Sequence, residues 1–439
     1  MTCEIAVMNR EAVALAADSA SSIGYGRKVF PSAEKLFSLS GKQPVGLMVY
    51  GDAALLEVPW ETTIKRYRDK LGTQTFPTLA QYGENLIAFL ESNEHDLVPD
   101  AAQQRYFSHT ARACLEAIVH DIDIVVRGLI EDEGHVTHQQ IQQATTFIIW
   151  NYLDELRKAR ALPTISDDFN TDILNKYGQK IDDLTNEVLE ELPTTGDIAK
   201  QLRQIMTHIF SRQISSIESS QLRYFSEYEP TQLSGIVIAG FGDFDAFPSV
   251  VTYEIEGMLL NHLIYAPLEE KSKTIDLEDL PADIIPFAQT DMVDQFLHGV
   301  DQDYDLEIIE ASRDAFERAS RQTINRDHKL SEQDKERLTK KLHARLESAE
   351  TVCIKRGVQY QLDKHWWPTM RILSALPKSE LATIAETLVN LTSFKRRVSP
   401  DRETVGGPVD VALISRGDGF VWIKRKRYFP SDLNPGHMD

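Results

Sequence analysis

The sequence has few cysteines and no long apolar segment. Its 439 residues include three cysteines, Cys3, Cys114 and Cys353, which lie far apart. An odd number of distant cysteines provides neither a disulfide framework nor a zinc ribbon, and it is typical of a reducing compartment. No stretch approaches the roughly 18 apolar residues that a membrane-spanning helix needs. We therefore expect a cytoplasmic chain without a membrane segment.

Basic residues are also scarce, both overall and at the N-terminus. The chain has 47 Lys and Arg against 67 Asp and Glu, which gives a formal net charge of −20. This charge repels phosphate backbones and anionic lipid, so we expect neither nucleic acid nor a membrane surface as a partner. A secretory signal would begin with basic residues, whereas this chain has Glu4 inside its first apolar run. We therefore predict no such signal.

The remaining composition is that of a globular protein with a large core. Apolar residues make up 42% of the chain and charged residues 26%, which is ordinary for a folded chain. The length suggests up to about three structural units.

The first ninety residues have the pattern of β-structure followed by helices. Short apolar runs predict strands at 4–8, 12–17, 35–39 and 45–50. The small, polar residues 19–31 predict a loop. We expect Gly51, in the segment Gly-Asp-Ala-Ala, to open a helix, and the periodicity predicts a second helix over 79–90.

The pattern then becomes helical and later returns to strands. Residues 93–228 contain successive helical segments, for example 111–129, 138–157 and 197–217, and we interpret them as a mostly helical insertion. Later strands are expected at 235–240, 249–255, 258–265, 409–414 and 420–423, and later helices at 291–297 and 379–394. The charge-rich residues 305–350 predict a solvated helical pair.

This order favours an α+β fold with two antiparallel sheets and helices outside, a four-layer αββα sandwich with a large helical insertion. We expect a core in three parts, interrupted by two insertions and followed by a tail. The predicted boundaries are 1–92 for the first core part, 93–228 for the helical insertion, 229–300 for the second core part, 301–370 for the charged helical insertion, 371–429 for the final helix and closing strands, and 430–439 for the tail.

Thr2 follows Met1 directly, and its small side chain permits removal of Met1. The new N-terminal threonine would carry a free α-amine that can act as the base for its own hydroxyl, which makes it an activated nucleophile. Many cytosolic chains begin Met-Thr, so this feature carries weight only in context.

The context is a set of short motifs in a fixed order. The second strand ends Ala-Ala-Asp at Asp18, Lys35 opens the third strand, and Gly51 follows the fourth. Ala-Gly-Phe-Gly at 239–242 and Gly-Gly-Pro-Val-Asp at 406–410 come later. Together they resemble proteasome β-type subunits of the N-terminal-nucleophile hydrolase superfamily, in a bacterial branch with long helical insertions. The resemblance covers about half of the chain: 1–90, 233–297 and 381–423.

The resemblance implies a catalytic role for each of four residues. Thr2 would supply the nucleophilic hydroxyl and the α-amine. Lys35 would assist deprotonation of the threonine, and Asp18 would keep that lysine charged and oriented. The backbone N–H of Gly51, at a helix start, would stabilise the tetrahedral oxyanion. Asp18 and Lys35 could equally form an ordinary surface pair, and Gly51 could be a simple turn residue.

Two elements of the family pattern are missing. The Gly-Ser-Gly-Ser element is replaced by Phe-Ala-Gln-Thr-Asp at 287–291, and the Asp-x-x-Ser-Gly-Gly element by Arg-Glu-Thr-Val-Gly-Gly at 402–407. In active subunits these groups support the threonine amine. Thr290, Glu403 and Thr404 are candidate substitutes.

The sequence therefore predicts a proteasome-like hydrolase of amide or peptide bonds, homo-oligomeric by family resemblance and acting on a peptide or protein. We expect no cofactor and no metal site. A catalytically inactive assembly or binding scaffold is the alternative, with the helical insertion as its interaction surface. A peptide ligase or amidase that uses the same threonine ester is a further alternative.

Overall fold

A computed structural model describes residues 2–23, 28–39, 43–94, 96–162, 165–166, 168–190, 192, 196–213, 233–326, 331–400 and 405–427. Their strands are β1 Cys3–Asn9, β2 Ala12–Ala17, β3 Ala20–Ile23, β4 Lys28–Pro31, β5 Leu36–Ser38, β6 Val45–Gly51, β7 Ala54–Leu55, β8 Val58–Pro59, β9 Ser234–Gly240, β10 Ser249–Leu259, β11 His262–Pro267, β12 Lys273–Thr274, β13 Ala282–Ala288, β14 Asp410–Ser415 and β15 Gly419–Lys424.

The helices fall into an early and a late group. The early helices are α1 Trp60–Leu71, α2 Leu79–Ser92, α3 Asp100–Glu133, α4 His138–Lys158, α5 Phe169–Val188 and α6 Gly196–Ser211. The late helices are α7 Asp291–His298, α8 Gln302–Arg326, α9 Glu332–Gln361, α10 Trp367–Leu373 and α11 Lys378–Val398, and a π-helical turn at Leu362–Trp366 joins α9 to α10.

The chain divides into two compact units, each with its own sheet. One unit comprises Met1–Leu36, Ala246–Pro248 and Thr274–Asp439, and the other comprises Phe37–Asp245 and Ser249–Lys273. The boundaries predicted from the sequence separate core segments from insertions. This is a different division from the one into two compact units, so the predicted boundaries stay a prediction.

The first unit contains a five-stranded sheet in the order β13-β1-β2-β14-β15, with every neighbouring pair antiparallel. Alternate residues of the two central strands face one apolar cluster, because side chains of a strand point to opposite faces in turn. These residues are Cys3, Ile5, Val7, Ala12, Ala14 and Ala16, and they share the cluster with Leu381, Ala385 and Val389 of α11. The small alanines let α11 lie close to the sheet.

The second unit contains a sheet in the order β11-β10-β9-β6-β5. Helices α2 and α3 pack on it, and the apolar faces of α3–α6 belong to the same buried cluster as the strand residues Leu47, Ile238 and Met258. The helices predicted within 93–228 are present up to Ser211, and residues 214–232 lie outside the described part. That this segment is an insertion stays a prediction. Its helices form a layer of this unit's core.

Three local predictions are wrong. The predicted loop at 19–31 contains the antiparallel pair β3–β4. The helix expected to open at Gly51 begins at Trp60, because the β7–β8 hairpin turns first, through positive φ at Leu56 and Glu57. Two strands were expected at 249–255 and 258–265, with a break near Gly257. The observed break lies at Leu260 and Asn261 instead, because β10 continues past Gly257 with a shift in register.

Most other elements agree with their predictions. The first hairpin, the strand at 235–240, the helices over 79–90, 291–297 and 379–394, and the charged helical pair are confirmed. The closing strands are also present, with the turn at Gly417–Gly419 between them. Strand β13 has no counterpart in the prediction, although it pairs with β1 along its full length. The chain is therefore a mixed α+β protein with antiparallel sheets. Among the helices in the described ranges, none combines the length and the hydropathy needed to cross a bilayer.

Candidate active site

Thr2 and Glu4 lie at the start of β1, on the face opposite its helix-facing apolar residues. Because Cys3 and Ile5 point into the cluster beneath α11, the alternation of the strand places Thr2 and Glu4 on the other side. The Thr2 hydroxyl Oγ1 donates a hydrogen bond to Glu4 Oε2 at 3.0 Å. Thr2 is 4% exposed and Glu4 is completely buried. The candidate nucleophile therefore contacts a buried carboxylate.

Asp18 follows β2, which pairs with β1, and its carboxylate accepts from four donors. Oδ1 accepts from the backbone N–H of Cys3 at 3.2 Å and from Lys35 Nζ at 2.5 Å. Oδ2 accepts from the backbone N–H groups of Ala20 at 3.3 Å and Gly406 at 2.8 Å. A carboxylate offers about four lone-pair directions, so these donors fill the acceptor capacity of Asp18 and fix its orientation.

Lys35 lies between two carboxylates. Its ammonium is 2.5 Å from Asp18 Oδ1 and 3.0 Å from Glu4 Oε1. Burial alone lowers the pKa of a lysine, but the charges of Glu4 and Asp18 outweigh that effect and hold the pKa of Lys35 above its ordinary value. Lys35 is therefore charged at neutral pH. The predicted pair of Asp18 and Lys35 is present and buried, which rules out the surface-pair interpretation.

The sequence-based site did not include Glu4. Burial raises the pKa of Glu4 from 4.5 to about 7, while the Lys35 ammonium acts in the opposite direction and the Asp18 charge adds to the rise. The available signal was a charged residue in an apolar strand, two positions after Thr2 and so on the same face.

Gly51 is the last residue of β6 and belongs to the second unit. Its φ is +80°, and a Cβ there would lie 2.2 Å from the carbonyl oxygen of Leu233. These two constraints explain why the position holds glycine. No helix starts at Gly51, so the expected contribution of a helix dipole is wrong. Its predicted approach to the threonine hydroxyl stays a prediction.

The segment that replaces the missing Gly-Ser-Gly-Ser element contacts Thr2 through its backbone. The N–H of Gln289 donates to the carbonyl of Thr2 at 3.1 Å. Thr290 is the N-terminal flanking residue of α7. Glu403 and Thr404, the other candidate substitutes, lie outside the described residues. Gln289 is therefore a positioning residue for Thr2 that the sequence did not indicate.

The arrangement consists of a hydroxyl, two carboxylates and an ammonium. Burial raises the pKa of the Cys3 thiol well above its ordinary value, so Cys3 is neutral and a poor nucleophile. Within the described ranges, no group of three or more His, Cys, Asp or Glu side chains is arranged to hold a metal ion. The chemistry that these side chains support is proton transfer from a hydroxyl in a charged, buried environment.

Comparisons with known proteins assign no family: no family model matches the chain, and no curated protein matches it.

Proposed function

We propose that the chain is a hydrolase of amide or peptide bonds that uses Thr2 as its nucleophile, with the four-layer αββα fold of proteasome β-type subunits. The observation that carries this proposal is the buried, connected series Thr2, Glu4, Lys35 and Asp18. Lys35 and the Thr2 hydroxyl contact the two oxygens of the same Glu4 carboxylate, and a positive charge in this group favours the alkoxide character that develops as the oxygen attacks a carbonyl. An ion pair with no role beyond the surface of the protein would not need to be buried in this way.

In this proposal Thr2 forms an ester with the acyl part of the substrate, and water then hydrolyses the ester. Lys35 stabilises negative charge near the hydroxyl, and Asp18 holds Lys35 in place. Gly51 is proposed as the oxyanion donor on family resemblance alone. Thr2 is 4% exposed in the chain that carries Met1, so the proposal includes removal of Met1. We also propose a cytoplasmic homo-oligomer that acts on peptides or proteins without a cofactor.

The first test is the mass of the purified protein. We expect Met1 to be absent and the chain to begin at Thr2. Hydrolysis of a mixed library of model peptides by this material is then compared with hydrolysis by Thr2→Ala and Thr2→Ser. Thr2→Ala should be inactive, and Thr2→Ser should keep part of the activity because it retains a hydroxyl. Retained or acetylated Met1, or unchanged cleavage by Thr2→Ala, would refute the proposal.

The alternative of a binding scaffold has support from the helical insertion. Phe147 and Trp150 lie one turn apart on α4 and are 56% and 51% exposed. Large exposed aromatics are enriched where proteins bind one another. Under this alternative the wild type and Thr2→Ala would both be inactive, and assembly would depend on α4. Phe147→Ser separates the two functions when peptide hydrolysis is measured beside gel filtration: under the hydrolase proposal it should cleave model peptides as the wild type does, and under the scaffold alternative it should lose assembly while neither protein cleaves peptides.

A further inference from the structure

The Thr2 hydroxyl has a direct proton acceptor in Glu4. A general base must lie within hydrogen-bond reach of the proton that it removes. Glu4 Oε2 accepts the hydrogen bond of Thr2 Oγ1 at 3.0 Å. Asp18 already accepts from four donors, and the Lys35 ammonium has no lone pair to accept a proton. Of the three charged groups in the site, Glu4 is therefore the one placed to act as the base.

We infer that Glu4 is the general base that takes the proton of the Thr2 hydroxyl. The inference rests on the proposed function and deepens it. The family resemblance assigns that role to the threonine α-amine with help from lysine, whereas this geometry assigns it to a carboxylate on the same strand face.

The step balances with Glu4 as the proton carrier. As Thr2 Oγ1 forms a bond to the substrate carbonyl carbon, its proton passes to Glu4 Oε2 and the carbonyl oxygen takes the negative charge. When the tetrahedral intermediate collapses, the C–N bond breaks and the Glu4 carboxylic acid returns the proton to the leaving amine. Water then attacks the ester with Glu4 again as the base, and the C–O bond to Thr2 breaks as Oγ1 regains a proton.

The surroundings of Glu4 suit a base that works near neutral pH. The charged groups that act on it are Lys35, before β5, and Asp18, after β2, and the Cys3 thiol beside it is neutral. Burial raises the pKa of Glu4 to about 7. A base is most effective when its pKa lies close to the working pH. The ionised fraction of Glu4 thus grows as pH passes through neutrality.

A carboxylate base and an amine base differ in their response to temperature. Ionisation of a carboxylic acid has little enthalpy, so its pKa hardly changes with temperature, whereas the pKa of an amine falls on warming. The pH midpoint of Thr2 reactivity, measured at two temperatures, therefore identifies the base even though an α-amine also titrates near pH 8.

The test measures acylation of Thr2 by a β-lactone, a probe that is opened by a nucleophilic hydroxyl. Full-length purified protein that begins at Thr2 is incubated with the lactone between pH 5 and pH 9, and the rate is followed by intact mass and peptide mapping. Wild-type acylation should rise with a midpoint near pH 7 that is the same at 10 and 30 °C. Glu4→Gln should be slower by about 100-fold or more, the usual contribution of a general base, and should lose the midpoint.

Glu11→Gln is the matched control, because Glu11 is exposed at the other end of the β1–β2 hairpin, and it should react as the wild type does. Glu4→Asp keeps a carboxylate with a shorter reach and should be slower while keeping a pH midpoint. If Glu4→Gln does not fold, as judged by circular dichroism, the acylation rate and pH midpoint of Glu4→Asp test the role of Glu4.

The outcomes separate the inference from the proposed function. Equal acylation of Thr2 in the wild type and in folded Glu4→Gln, an unchanged rate in Glu4→Asp, or a midpoint that falls on warming would each overturn the role of Glu4 and leave the threonine hydrolase in place. A wild-type protein whose Thr2 is not acylated, or equal labelling of Thr2→Ala, would overturn both.

Discussion

Asp18 and Gly406 are joined by a hydrogen bond of 2.8 Å from the Gly406 N–H to Asp18 Oδ2. The next residue, Ser19, donates its own N–H to the carbonyl of Gly406 at 3.2 Å. These two bonds connect the end of β2 to the segment before β14 and hold Asp18 in contact with Lys35. The carboxylate is thus a structural junction as well as a neighbour of the candidate nucleophile.

We expect Asp18→Asn to destabilise the protein strongly. The amide loses the negative charge that faces Lys35, and its NH2 group replaces one of the two oxygens that accept backbone N–H bonds. Loss of one partner of a buried ion pair typically costs about 3–5 kcal/mol. Urea denaturation should show this loss. Asp276→Asn is the matched control, since Asp276 also accepts three backbone N–H bonds but lies in an accessible turn. A similar effect in both variants would contradict the assignment.

Glu4→Gln should alter the dependence of stability on pH. The pKa of Glu4 is raised in the folded state, from 4.5 to about 7, so the folded protein binds this proton more tightly than the unfolded chain does. The corresponding stability is fully present below about pH 4.5 and is lost as pH rises through about 7, a change of about 3 kcal/mol. Lys35 stays charged throughout this range, since its pKa is raised above 10.5.

The measurement is the free energy of unfolding in urea at pH 5 and pH 8. The wild type should lose stability between pH 5 and pH 8, whereas Glu4→Gln has no buried carboxyl to ionise and should not lose this contribution. The free energy of unfolding of Glu4→Gln minus that of the wild type should therefore be larger at pH 8 than at pH 5. The control Glu11→Gln should differ from the wild type by the same small amount at both pH values. A constant difference for Glu4→Gln would show that Glu4 does not titrate in this range.

Gly51→Ala should destabilise the second unit, whatever Gly51 does in catalysis. The backbone φ of +80° disfavours any residue with a Cβ, and the added atom would lie 2.2 Å from a backbone oxygen. Strain of this kind costs about 1–3 kcal/mol. The melting temperature should fall, and Gly72→Ala, at φ +55° but with no atom nearer than 3.9 Å, should cost less. Equal falls in melting temperature for the two variants would show that the positive φ, and not the close approach to the Leu233 carbonyl oxygen, causes the destabilisation.

Gly257→Ala tests the packing of α3 on β10. A Cβ at Gly257 would lie 2.7 Å from the ring of Tyr106, which is 8% exposed and has little room to move. Overpacking of a buried contact costs about 1–3 kcal/mol. Gly128→Ala is the control, because it lies on α3 with no atom within 4 Å and should stabilise the helix slightly. A neutral Gly257→Ala would show that α3 is loosely packed against the strand.

The sequence predicted the elements whose apolar periodicity is strong. The first hairpin, the insertion helices and the closing strands follow from spacing alone, because one side of each is buried. The β7–β8 hairpin was missed because its left-handed residues are Leu56 and Glu57, which carry no turn signal. Strand β13 contains Pro286, which usually argues against a paired strand.

The sequence predicted only part of the site. Thr2, Asp18 and Lys35 were found through family resemblance, and the structure brings Asp18 to Lys35. Glu4 lies outside that pattern, so resemblance could not identify it. Its importance depends on a contact with a residue 31 positions later in the chain, Lys35, which spacing does not reveal. Gly406 contributes through its backbone, and sequence pattern gives no direct sign of such a bond.

The bond from Gly406 to Asp18 joins residues 388 positions apart, and this separation sets an order of events during synthesis. Thr2 and Glu4 are synthesised long before the segment that fixes Asp18, because Gly406 follows Asp18 by 388 positions. The carboxylate that holds the Lys35 ammonium therefore gains its Gly406 donor only after Gly406 has been made. A chain that stops before Gly406 contains Thr2, Glu4 and Lys35 but lacks this donor to Asp18, so the finished arrangement at the start of β1 depends on a segment made much later.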